Sequence, residues 1–299
     1  MSSVIRTPIQ RDPAAPSPRG WPSAKPWGNS HWMTVAEARH APGLRITDAP
    51  YWAALWSQCL QGVLDVKQIP YRKVVHPPYS HKDPQAQQEL YEWTAQTSVP
   101  TMVYNDGSGK PDLVRNDWLN QLMLAEQIQP EPSLIPRDAG ARVLMFGLSH
   151  EIMSPQGLMW NGRLCMRDLT DMSNLTPKQR DFFTPENFLG GKYSLNAKQR
   201  SPLDNIRECL ALLDDQLARN QAAGSRFFVG DALSALDIYW AYGSIMVRLL
   251  PHEEMPVMTI NRDMYLGMNE ALAHDVPERL LEHRNFIFHE FLACPMSVD

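Results

Sequence analysis

The stretch MFGLSHEIMSPQGLMWNGRL (145–164) gathers the densest set of groups able to do chemistry. His150 and Glu151 are an adjacent imidazole and carboxylate that can serve as acid and base, or stand as a hydrogen-bonded helix histidine beside a solvated or ion-paired carboxylate. Trp160, Arg163 and Arg167 combine aromatic faces with guanidinium charge, which suits an aromatic or anionic ligand. Four residues after His150 stands Ser154, so this is not the two-histidine zinc motif. The four cysteines (Cys59, Cys165, Cys209, Cys294) lie far apart, with no Cys-x-x-Cys pair and no Cys/His cluster at zinc-finger spacing. No metal is therefore expected, and a reduced, cytoplasmic setting fits. Cys59 falls well inside a predicted helix, beyond the reach of its N-terminal dipole, and reads as a buried, inert thiol. The 15 methionines, Met145, Met153, Met159 and Met166 among them, suit an adaptable apolar pocket or simply fill a core.

These groups sit in a chain of 299 residues, 43% hydrophobic, long enough for two packed domains. The net charge is -5 and the lysines and arginines are scattered, so no basic stripe is present to neutralise phosphates and nucleic acid is not expected as a partner. No apolar run approaches the roughly 20 residues needed to span a bilayer; Ala241–Leu250 is interrupted by polar groups. The first residues lack the apolar core of a secretory signal.

The elements that must position the chemistry follow from periodicity and punctuation. Residues 1–43 are Pro-rich and Gly-dotted, a composition that rarely folds alone. They read as an extension that wraps over the body through Trp21, Trp27 and Trp32, or as a tail with incidental tryptophans. From Leu44 the pattern is α/β. Residues 44–46 form a strand, Pro50 opens a helix that ends near Ile69-Pro70, and YRKVV (71–75) is a strand made parallel to the first by that crossover. A short helix (85–92) precedes a hairpin over 99–114, turning at Asn-Asp-Gly-Ser-Gly. Asp117–Gln127 is a helix with Trp118, Leu119, Leu122 and Ala125 at helical spacing. Three prolines in residues 129–136 cannot continue it and mark a linker. Residues 138–299 are helix-patterned. A first helix (138–153) carries the apolar stripe Val143, Leu144, Leu148 and Ile152, and a second covers roughly 157–172. A third starts at Ser201 as N-cap with Pro202 behind it, burying Ile206, Leu210, Leu213 and Leu217. The fold class is thus α/β plus all-α: an extension (1–43), a small mixed-sheet domain (44–128), a linker (129–137) and a helical domain (138–299).

The segment FFVGDALSALDIYWAY (227–242) resembles a marker of the glutathione transferase superfamily, a glycine-aspartate turn followed by an N-capped core helix. Ser234 is expected to cap by accepting from the Asp237 N–H, while the Asp237 carboxylate reaches back to the Ser234 N–H. The order βαβ, Val99-Pro100, hairpin, Pro-rich linker, helices is similar to that superfamily over roughly the last 250 residues, and LLEHRNFIFHEFLACP (280–295) looks like the tails of bacterial members.

The resemblance implies a thioredoxin-like domain followed by a helical bundle, with the ligand site between them. It implies that Pro100 is cis and that Val99 offers its backbone to the cysteinyl group of glutathione. Family members place a Ser, Cys or Tyr near the first strand end; here Ala49 stands before Pro50, and Thr47 and Tyr51 are the nearby hydroxyls, with Asp48 opposing a thiolate by like charge. At the γ-glutamyl end the family's acidic-then-Ser pair is replaced by Arg115 and Asn116, with Asn116 able to cap the following helix and Asp117 able to take the ammonium. The first helix of the second domain is implied to line the acceptor pocket, with Glu151, Trp160 and Arg163 there and His150 beside them, and Trp52 of the first domain is assigned to the same pocket. The activity implied is attack of a bound glutathione thiolate on a small hydrophobic electrophile, with glutathione as co-substrate. A non-catalytic relative that keeps the fold for binding or assembly is the alternative. Relatives commonly form dimers, so a homodimer is implied.

Overall fold

The computed structural model describes residues 32–49, 54–76, 84–169, 201–256 and 259–296, with Ser173, Pro177 and Arg180. Arg167 carries no described side chain, and Trp21, Trp27, Pro50, Tyr51 and Trp52 lie outside the described residues.

Strands β1 (Gly43–Asp48), β2 (Tyr71–Val75), β3 (Met102–Asn105) and β4 (Leu113–Arg115) form one sheet in the order β2-β1-β3-β4. β1 is parallel to β2 and antiparallel to β3, and β3 is antiparallel to β4. Helix α2 (Leu55–Val66) supplies the β1–β2 crossover, α3 (Pro84–Thr94) joins β2 to β3, and α4 (Trp118–Ile128) follows β4. This is a thioredoxin-like domain. Then come α5 (Ala139–Met153), α6 (Leu158–Leu169), α7 (Pro202–Ala222), α8 (Ala235–Gly243), α9 (Thr259–Ala271) and α10 (Glu278–Phe291), an all-helical bundle.

Ahead of the sheet, Met33 makes an isolated parallel bridge to Val74, and Thr34 caps the short helix α1 (Val35–Ala38). Trp32 lies 5.2 Å from the Lys73 ammonium. The last residues of the extension therefore do wrap over the sheet edge, and Trp32 is an anchor.

Leu44 and Ile46 of β1, Tyr71 of β2 and the inner face of α2 make one core, which continues through α2 into α8. The two helices approach closely because Gly62 has no Cβ; one would fall 2.6 Å from Tyr242. Polar groups are also buried on this face. Asp48 accepts from the Ala49 N–H and from Gln61 Nε2, both at 2.8 Å, and Asp65 lies buried beside Tyr71, whose hydroxyl donates to Gln61 Oε1 at 3.5 Å. Burial pushes the Asp48 carboxyl up despite nearby Lys73. Burial likewise raises Asp65 from 3.8 to about 7. A folded-state value above the unfolded one means that the folded chain holds more protons in that window, so Asp65 removes stability as pH rises from about 3.8 to about 7. Asp65→Asn, which keeps the shape and removes the charge, is expected to raise the urea midpoint above pH 7 and leave it little changed near pH 4; equal gains at both would exclude this origin.

Two expectations need correction. The apolar stripe assigned to α5 holds only in part: Ile152 is buried and Leu148 packs half-buried against the core, but Val143 is 71% and Leu144 45% exposed, and Met145, Ser149 and Met153 fill the buried face instead. Helix α4 is capped by Asp117, not Asn116. The Asp117 carboxylate accepts from the Asn120 N–H at 3.0 Å and its side-chain amide at 2.6 Å, and Asn116 instead donates to Gln96. A carboxylate at a helix start gains from the macrodipole as well as the cap, an advantage the neutral amide lacks.

The capped core helix is present, with the Ser234–Asp237 capping box at its start. Asp237, fully buried, accepts from the backbone N–H groups of Ser234 (2.8 Å) and Phe228 (3.0 Å) and from the Ser234 hydroxyl (2.8 Å). As expected, the Ser234 side chain accepts from the Asp237 N–H, which also meets the Ser234 carbonyl at 3.2 Å, and the hydroxyl adds its own donation to the carboxylate. His283 Nε2 of α10 lies 3.0 Å from the same carboxylate.

Candidate functional site in the interdomain cleft

Two tryptophans join the domains. Trp56, in the first turn of α2, donates to the Met153 carbonyl at 3.1 Å, and Trp118, opening α4, donates to the Ser154 hydroxyl at 2.9 Å and sets its ring edge-on to Tyr239. A narrow pocket between them is lined by Trp56, Cys59, Trp118, Gln121, Met153 and Tyr239. Burial raises the Cys59 thiol well above its ordinary value, so it faces this pocket as a neutral group, as its place in the helix implied.

The Val99-Pro100 bond is cis. Its neighbours are fixed from two sides. Thr101 donates its N–H to the Thr47 hydroxyl oxygen at 2.8 Å and accepts from the Thr47 N–H at 2.9 Å, while Gln121 of α4 donates to the Pro100 carbonyl at 3.0 Å. The Thr101 hydroxyl in turn donates to the Ser98 carbonyl. Val99, half-buried, has neither its N–H nor its C=O hydrogen-bonded to any described residue. An open donor and acceptor on adjacent groups of a held backbone is a seat for an extended peptide strand. Gln121 carried no sequence signal beyond being a polar residue on a predicted helix.

The expected site residues separate. Thr47 is 1% exposed, and its oxygen is engaged by Thr101. Arg115, half-buried at the end of β4, turns its guanidinium back to the Val114 carbonyl at 2.8 Å. Asp117 spends both carboxylate oxygens on Asn120. On α6, Arg163 lies over the Trp56 ring at 4.8 Å and the Trp160 ring at 5.8 Å, the two rings meeting edge to face at 6.1 Å. Trp160 and Arg163 are thus brought together with Trp56, a residue that sequence reasoning counted only as part of a helix. His150 and Glu151 are exposed on α5. Neither side chain bonds to a described residue of the first domain, so they are not joined to Val99, Thr47 or the Trp56 cluster.

No protein-family model matches the chain, and no curated protein matches it. Solved structures do. The nitrogen regulation fragment of the yeast prion protein Ure2p is 12% identical with a TM-score of 0.48, covering 82% of this chain and 96% of that one. A glutathione transferase from Burkholderia graminis, with two glutathione molecules bound per subunit, is 14% identical with a TM-score of 0.48, over 84% and 92%. A glutathione transferase from Pseudomonas putida, with one glutathione disulfide bound per subunit, is 12% identical with a TM-score of 0.47, over 84% and 95%. With a thioredoxin-like domain followed by an all-helical one, the chain is similar in fold to glutathione transferases.

Proposed function

We propose that this chain binds glutathione across the interdomain cleft and presents its thiol to a small hydrophobic electrophile. The open Val99 backbone carries the reading: it can pair with the cysteinyl unit of the tripeptide while Thr47 and Gln121 hold the turn in place. The Trp56–Trp160–Arg163 cluster would receive the second substrate, favouring a flat or anionic electrophile over a purely aliphatic one. Calorimetric titration with glutathione tests this. Saturable binding to the wild type is expected, weakened roughly tenfold in Gln121→Ala through loss of the bond to the Pro100 carbonyl. Absence of binding to the wild type would overturn the reading.

A second reading, glutathione binding without catalysis, draws on Thr47. Its hydroxyl oxygen already serves Thr101, and Ala54, the N-cap of α2, gives no side-chain cap, so neither is a ready thiolate stabiliser. Conjugation of glutathione to an activated aryl halide above the uncatalysed rate separates the two, and Tyr51→Phe then tests the remaining hydroxyl.

A homodimer belongs to the same proposal. Leu119 and Met123 of α4 and Val143 and Leu144 of α5 are large apolar side chains at least 39% exposed, and a second copy would cover them. Val143→Glu is expected to shift the chain from dimer to monomer by sedimentation, and an unchanged dimer would remove α5 from consideration.

A further inference from the structure

Away from the cleft, three residues of metal-ligating type converge from separate pieces of the helical domain. Glu254 lies on the turn before α9, His289 in the last turn of α10, and Cys294 just beyond that helix. One ligand atom from each lies within 4.8 Å of the other two; Glu254 is buried, and His289 and Cys294 are partly so. We propose that Glu254, His289 and Cys294 form a binding site for a borderline divalent cation of the Zn²⁺ or Co²⁺ type.

Geometry and chemistry agree on this class. Bonds of about 2.0–2.3 Å at tetrahedral angles set ligand atoms roughly 3.3–3.8 Å apart; His289 Nε2 and Glu254 Oε1 are already 3.5 Å apart. A thiolate, an imidazole and a carboxylate together select zinc-like ions over the hard, all-oxygen cations. Three protein ligands leave a fourth position for water or another ligand. The backbone holds the trio in place: the Met296 N–H donates to the Glu254 carbonyl at 2.8 Å, tying the tail that carries Cys294 to the turn that carries Glu254. The C-terminal end of α10 adds a favourable field for a cation beside His289. The opposing charge is Arg284, which lies near Glu254 but directs its guanidinium to the Arg248 carbonyl at 2.7 Å and to Asn285 at 3.0 Å. With the thiol deprotonated on binding, two negative charges face the ion, so uptake releases a proton and tightens as pH rises.

The spacing hides the site in the sequence, since Glu254 precedes the His-x4-Cys pair by 35 residues. The test is titration of the full chain with Co²⁺, following thiolate-to-metal charge-transfer absorption. A band saturating at one equivalent, displaced by Zn²⁺, is expected in the wild type. It should be absent in Cys294→Ser, with affinity reduced at least roughly tenfold in His289→Gln. No thiolate band in the wild type, or a band undiminished in Cys294→Ser and therefore due to another cysteine, would overturn the proposal. The readout involves no glutathione, so failure here and failure in the cleft are separate results.

Discussion

Asp237→Ala is expected to cost about 3–5 kcal/mol, the largest loss from any single side chain described here. The carboxylate is buried and gathers the Ser234 and Phe228 N–H groups, the Ser234 hydroxyl and His283 around one helix start. Its removal strands these donors where water cannot replace it. Asp237→Asn keeps the shape and one acceptor oxygen, so it should lose less, and Ser234→Ala should cost about 1 kcal/mol. Urea denaturation of the three variants checks the ordering. A loss under about 1 kcal/mol in Asp237→Ala would show that the surrounding donors find other partners.

Glu126→Ala should follow closely, also at about 3–5 kcal/mol. Lys67, at the end of α2, is buried and donates to Glu126 at 2.7 Å and to the Pro132 carbonyl at 2.8 Å. The same carboxylate accepts from the Leu134 N–H and the Ser133 hydroxyl. One acidic residue thus binds the thioredoxin-like domain to the segment leading into the helical bundle. Losing it leaves an ammonium buried beside a single carbonyl, which is worse than losing the pair. Lys67→Met added to Glu126→Ala should therefore recover part of the loss, and additive losses in that double variant would count against the ion pair as the cause.

The order of elements was legible because its signals are local and strong. Alternation at YRKVV gives β2 at 71–75, and Ser201-Pro202 gives the start of α7. Phase and partnership were not legible. Helix α5 carries apolar residues around much of its circumference, so periodicity could not say whether Val143 and Leu144 or Met145 and Met153 face inward. Adjacent Asn116 and Asp117 are both competent caps, and only the geometry of Asn120 decides between them. In the cleft, Trp160 and Arg163 could be named as types, but Trp56 and Gln121 act through partners 97 and 21 residues away, and no local pattern encodes that. The same holds for His283, 46 residues from Asp237.

The bridge between Met33 and Val74 also bears on how this chain avoids its own copies. The outer strands of an open sheet expose unpaired backbone groups, which invite strand-by-strand continuation into a neighbouring molecule. Here β2 has its outer side occupied, the Met33 N–H donating to the Lys73 carbonyl and the Val75 N–H to the Met33 carbonyl. At the other side, β4 is only three residues long. Both margins are blunted, so a second copy would meet side chains, where sequence can specify the contact, and not a backbone that would accept any extended segment.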